Sequence, residues 1–224
     1  MAKSKRTDLG KLLEDRSLLK QDVYRKTCET YKAFKLVIEN QVEELRKEVP
    51  NDRVRLKYDY NGDFETHAYI GSDVLVFHMH TNVFSFPKSH GIWKNSYVEK
   101  DRDRAYCGVI NIYNFLADSF LHNRMNDAGY LIGRIFVNKD AHFMVEGKGQ
   151  LGFLFKDFKG SSFDEESMLK VLNAAMQHAI EFDLQTPPYE NVQLVNVMQI
   201  KTLSSTQELK TGKRLGFKFK SEFD

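Results

Sequence analysis

Cysteine is scarce in this chain: Cys28 and Cys107 are the only 2 among 224 residues. They lie far apart and outside any CxxC or Cys/His spacing. That excludes a disulfide framework and predicts two reduced thiols in a cytoplasmic protein. Long hydrophobic runs are missing as well. Nothing approaches the roughly 20 apolar residues that span a bilayer, so no membrane partner is expected. The start, Met1-Ala2-Lys3-Ser4-Lys5-Arg6, is basic, but no apolar stretch follows it, and no secretory signal is expected. Neither sign of charge dominates. With 33 basic and 31 acidic residues and a net charge of +2, there is no chain-wide pull toward nucleic acid or an anionic surface. Internal repeats and low-complexity tracts are also absent.

Hydrophobic residues make up 42% and charged residues 29%, the balance of a globular protein rather than a disordered one. The 17 Phe and 10 Tyr suit the core of a β-sheet. From Asp8 to Val49 the periodicity is helical. Leu19, Val23, Thr27, Tyr31, Phe34, Ile38, Val42, Leu45 and Val49 recur at steps of three or four, and only Thr27 breaks the apolar set. Pro50 ends the helix. At 1.5 Å per residue such a helix is about 60 Å long, against a radius of gyration of about 17 Å for a compact chain of this size. It therefore breaks near Ser17, or it projects and meets a partner chain.

From Arg53 to Phe158 the period changes to two, with turn signals at Asn61-Gly62, Gly71-Ser72, Asn138-Lys139-Asp140 and Gly147-Lys148-Gly149. Keeping apolar against apolar sets two registers. The first hairpin, through a three-residue loop, pairs Tyr60 with Phe64, Tyr58 with Thr66 and Leu56 with Ala68. The second pairs Ala68 with Leu75, Thr66 with Phe77 and Phe64 with Met79. Asp59, Glu65 and His78 then form one cross-strand row, Asp63 opposes His80, and His67 lies between Lys57 and Val76. Strands are expected at Tyr106 to Phe115, Tyr130 to Val137, Ala141 to Glu146 and Leu151 to Phe155. A second amphipathic helix, with Ile180 on its apolar face, is expected from Phe163 to Leu184 behind a Ser162/Glu165 capping box. Closing strands are expected at Val192 to Leu203 and Leu215 to Phe219.

The expected architecture is therefore α+β: a curved antiparallel sheet packed on one face by the long N-terminal helix and the second amphipathic helix. One domain spans 1–224. Within it 1–7 is a basic flexible N-terminus, 8–49 the long helix, 53–158 the antiparallel strands, 162–185 a helix and 191–220 the closing strands.

Chemistry gathers in one place. His78 and His80 sit two apart in the apolar run Val74 to His80, so both rings share one face of a strand, with Glu65 and Asp63 opposite. Two imidazoles and two carboxylates are a candidate set for a divalent metal such as zinc or iron, or for an acid–base pair. The competing reading is a solvent-facing sheet surface with cross-strand charge pairs. A polar segment from Pro87 to Arg104 carries His90, Trp93 and Tyr97, candidates for ligand or partner contact. The competing reading folds the indole back onto the sheet. Gly147-Lys148-Gly149-Gln150-Leu151-Gly152 has the glycines of a dinucleotide fingerprint but, with a strand expected after it, reads as a hairpin. No nucleophile elbow, Walker lysine or supported catalytic cysteine occurs, and no cofactor beyond the divalent metal is implied.

Three functional classes follow. The first and leading one is a cytoplasmic, non-enzymatic interaction or ligand-sensing protein, a homodimer through its overlong helix, with a protein partner in view. The second is a metal-dependent or acid–base enzyme on the His78/His80 face. The third is an RNA- or ribosome-associated protein using basic termini such as Lys210, Lys213, Arg214, Lys218 and Lys220, although no RNP pattern, KH loop or zinc finger supports it.

Overall fold

The computed structural model describes residues 2–125, 127–156, 158, 162–182 and 188–201. Helix α1 runs unbroken over Ala2–Glu48, 47 residues and about 70 Å. It includes the stretch expected to be a flexible tail, and it does not break at Ser17. Arg46 and Lys47 in its last turn suit the negative end of the helix dipole. Lys26 with Glu29 and Lys47 with Glu44 pair along the solvent side at 2.8 and 2.6 Å. Val23, Tyr31, Phe34, Ile38 and Val42 are buried against the sheet. The apolar stripe continues toward the N-terminus through Leu9, Leu12 and Leu13, but these are exposed.

The strands are β1 (Leu56–Tyr60), β2 (Glu65–Ile70), β3 (Asp73–Met79), β4 (Phe84–Ser85), β5 (Tyr106–Leu116), β6 (Tyr130–Asn138) and β7 (Phe143–Gly147). They form one antiparallel sheet in the order β1-β2-β3-β5-β6-β7, and the short β4 pairs with the start of β5. The β2–β3 register is the one expected, with Ala68 against Leu75 and Glu65 against His78. The β1–β2 register is not. Tyr60 pairs with Thr66, Tyr58 with Ala68 and Leu56 with Ile70, two residues away from the expected pairing. Asn61 starts a wider loop: its N–H donates to the Glu65 carbonyl at 3.0 Å, and its side-chain amide donates to the Glu65 carboxylate at 3.0 Å. A slip of two preserves the faces. It moves His67 opposite Asp59 and takes Asp59 out of the Glu65–His78 row.

The first sheet face carries the main core. Phe34 of α1 meets Phe77 of β3 edge-on at 5.3 Å and Phe163 at 5.4 Å. Helix α5 (Glu165–Glu181) packs beside α1 through Met168, Val171, Leu172, Ala175 and Met176. Its cap is Asp164, which accepts from the Ser167 N–H at 3.0 Å, rather than the expected Ser162 box. Ile180, expected on the buried face, is exposed.

The second face is covered in two patches. At one end the short helix α3 (Ala117–Leu121) sets Phe120 over His67 and Phe115. At the other end residues 84–105 fold down, with helix α2 (Ser96–Glu99) and two 3₁₀ turns inside the segment expected to be a loop. Ile92, Val98 and Ala105 make a second apolar cluster there with Cys107, Val109, Phe136, Met144 and Phe158. Both cysteines are free.

The expected strand at Leu151 to Phe155 is instead helix α4 (Gly149–Leu154). Strand β7 is therefore followed by a glycine turn and a helix, the order that the hairpin reading denied. Packing accounts for the glycines. A Cβ on Gly147 would stand 2.8 Å from the Ile132 carbonyl oxygen, and one on Gly152 would stand 2.2 Å from the Gly147 carbonyl oxygen. Gly149 turns the chain at φ +53°. Helix α6 (Tyr189–Val192) and a helical turn from 197 replace the expected strand from Val192. The expected strand Leu215 to Phe219 and the late basic cluster lie outside the described residues.

Candidate functional site

Between the two covers a strip of the second sheet face stays open, and strand pairing fixes what lies along it. Glu65 stands opposite His78, His78 opposite Asn111, Asn111 opposite Arg134 and Arg134 opposite Glu146. One polar row thus crosses β2, β3, β5, β6 and β7. The row beside it is mostly apolar, through Val76, Tyr113 and Leu131.

The expected set of Glu65, Asp63, His78 and His80 does not converge. Glu65 turns along its own strand to His67, whose Nε2 lies 2.8 Å from the carboxylate. His67 is only 2% exposed and lies under the edge of Phe120. Burial pushes the Glu65 carboxyl up, but the Asn61 and His67 hydrogen bonds and the His67 and His78 charges outweigh it and hold it below its ordinary value. Asp63 is exposed and close enough to α1 for its charge to act on Lys35 and Tyr24, on the far side of the sheet from His80. His80 uses Nδ1 to accept the Asn82 N–H at 3.0 Å. In the neutral ring that places the proton on Nε2, so Nε2 has no lone pair for a metal while this bond stands. Among the described residues, no group of three or more His, Cys, Asp or Glu side chains is placed to hold a metal ion. The carboxylate–imidazole pair that does form, Glu65 with His67, was legible from their two-residue spacing alone. The expected register had hidden it by placing His67 beside Lys57.

His90, Trp93 and Tyr97 divide between two roles. Trp93 donates its indole N–H to the Pro87 carbonyl at 2.9 Å and lies beneath the Arg102 guanidinium, so it folds back onto the sheet. Tyr97 stacks on His142 at 4.6 Å, takes the Arg104 guanidinium over its ring at 4.2 Å and donates to Asp140 at 2.8 Å. These two hold the cover down. His90 remains outside, stacked on Phe86, and faces the open strip.

The part of that strip on β5 and β6 is the floor of a cleft of about 910 Å³. The floor is Val109, Asn111 and Tyr113 of β5 with Arg134 and Phe136 of β6. Residues 84–87 with His80 and His90 make one wall, while Gly147, Gly152 and Lys156 close the other end. Sequence reasoning missed Asn111, Arg134, Glu146 and Lys156, which are four positions on separate elements with no shared motif. Arg134 donates from Nε and Nη2 to Glu146 Oε2, the first at 2.9 Å. Burial pushes the Cys107 thiol up strongly, so it stays neutral and unreactive at neutral pH.

No protein-family model, curated protein or solved structure matches this chain.

Proposed function

We propose that this chain is a cytoplasmic, non-enzymatic ligand-binding protein that holds a small molecule in the cleft between the second sheet face and the 84–105 cover. The cleft carries this reading. Its volume falls in the range of small-molecule sites, and its aromatic walls with a few placed polar groups suit binding. The chemistry of the second face favours binding over catalysis. Its imidazole–carboxylate pair, His67 with Glu65, has its imidazole buried under Phe120 and stands outside the cleft. The test uses N-phenyl-1-naphthylamine, a neutral apolar fluorophore. Saturable binding at one site per chain is expected, and Asn111→Trp, which fills the floor, should abolish it while the far-ultraviolet dichroism stays unchanged. Absence of saturable binding, or full binding by the Asn111→Trp variant, would overturn the reading.

We also propose a homodimer. Leu9, Leu12 and Leu13 continue the stripe that α1 buries downstream, and they stand exposed. The same stripe on a second copy covers it in a two-fold pairing. Light scattering at micromolar concentration should give twice the chain mass, falling to a monomer in Leu9→Glu/Leu13→Glu; a monomer from the unaltered chain refutes it.

A further inference from the structure

We infer that the ligand of this cleft is an organic anion, an apolar body ending in a carboxylate or similar oxyanion; this deepens the ligand-binding reading and rests on it. His80 and His90 sit in the same local arrangement. Each uses Nδ1 to accept the N–H two residues on, Asn82 at 3.0 Å and Ile92 at 3.1 Å. A neutral imidazole that accepts at Nδ1 carries its proton at Nε2. Both rings that line the cleft therefore keep an Nε2–H as their remaining hydrogen-bonding group. Each is also held by an aromatic neighbour, Phe84 edge-on to His80 at 4.8 Å and Phe86 stacked on His90 at 4.7 Å.

Two cations add to these donors. Arg134 commits Nε and Nη2 to Glu146 and keeps Nη1. The Lys156 ammonium lies 4.9 Å above the Phe153 ring and forms no ion pair among the described residues. Against this stand few acceptors. Glu146, the one carboxylate lining the cleft among the described residues, is already paired with Arg134. The Asn111 amide and Tyr113 hydroxyl serve as either donor or acceptor. Donors exceed acceptors and positive charge exceeds negative, so the partner that satisfies this lining brings oxygens and a negative charge. The rest of the lining, Phe84, Phe86, Val109, Phe136 and Met144, takes the apolar body.

The test compares two fluorophores with nearly the same ring body. Anilinonaphthalene sulfonate carries the anion, and N-phenyl-1-naphthylamine does not. Titrated into the full chain, the sulfonate should bind about 10-fold or more tightly, the worth of one charge-assisted contact. Lys156→Gln should reduce that preference and Arg134→Gln/Lys156→Gln should remove it, each read as the ratio of the two probes' affinities in the same variant. Lys156 is exposed, so its variant keeps the test valid if the Arg134 variant fails to fold. Equal or weaker sulfonate binding, or a preference that survives in Lys156→Gln and in the double variant, overturns the anion inference while leaving a ligand cleft. Binding of neither probe overturns both.

Discussion

A Cβ added to Gly108 would stand 2.1 Å from the Oγ1 of Thr27. The pair explains the polar residue at position 27 in the buried stripe of α1. Thr27 turns its hydroxyl back to the Val23 carbonyl at 2.7 Å, so it is buried without an unpaired group, and the bare strand opposite lets the helix lie close. Gly108→Ala must push the helix off the sheet. A loss of about 3 kcal/mol is expected in urea denaturation. Adding Thr27→Ala should recover only part of it, because the Thr27 Cβ itself lies 2.7 Å from where the new methyl would stand.

Tyr31 brings a further polar group to the buried side of α1. Its hydroxyl donates to the Phe77 carbonyl at 2.8 Å and lies 3.2 Å from Thr66 Oγ1. Tyr31→Phe leaves both without this partner in a dry core, and a cost of about 1–2 kcal/mol is expected from the same denaturation measurement.

Alkaline pH should act on this chain through its tyrosines. Burial pushes Tyr31 up strongly, and burial with the Asp140 hydrogen bond pushes Tyr97 up to about 12, against an ordinary value of 10.0. A raised folded-state value means that the unfolded chain releases these protons first. Stability should therefore hold below pH 10 and fall as pH climbs through the 10–12 window. Denaturation midpoints across that window should show a shallower decline in Tyr31→Phe; an identical slope would remove Tyr31 from the explanation.

At the acid end Glu65 behaves oppositely. Its carboxyl is held below its ordinary value, so the stability it contributes is present above the unfolded-state value and lost as pH falls through the folded one. Glu65→Gln is expected to lower stability at pH 7 by about 1 kcal/mol, discounted for its partial exposure, and to flatten the acid limb of the stability curve.

The single tryptophan reports on the cover. Trp93 packs on the apolar cluster that shares β5 and β6 with the main core. Its fluorescence and the helical dichroism should therefore change at one common urea midpoint. An earlier fluorescence transition would mean that the 84–105 cover opens separately from the sheet.

What the sequence revealed and what it concealed separate along physical lines. Alternation fixes which face a residue takes, and the buried face of β2 and β3 came out correctly, together with the pairing of Ala68 with Leu75. Loop length is set by side-chain bonds that alternation does not encode. The Asn61 amide reaching Glu65 widened the first hairpin and shifted its register by two. Glycines mislead for a similar reason. Gly147 and Gly152 are there for a close approach of backbones, visible only once β7 and α4 are packed. Of the site, His80 and His90 stood out in the sequence as individual residues. Asn111, Arg134 and Glu146 did not, because pairing across three strands brings them together.

The polar row from Glu65 to Glu146 takes one residue from each of five strands. No hairpin, and no fragment ending before β7, contains it. The cleft takes its floor from β5 and β6 and further lining from β7, so it is complete only in a chain that has paired β7 with β6. A ligand held there binds the native chain alone and shifts the folding equilibrium toward it by mass action. Abundance of the folded protein would then follow the supply of its ligand.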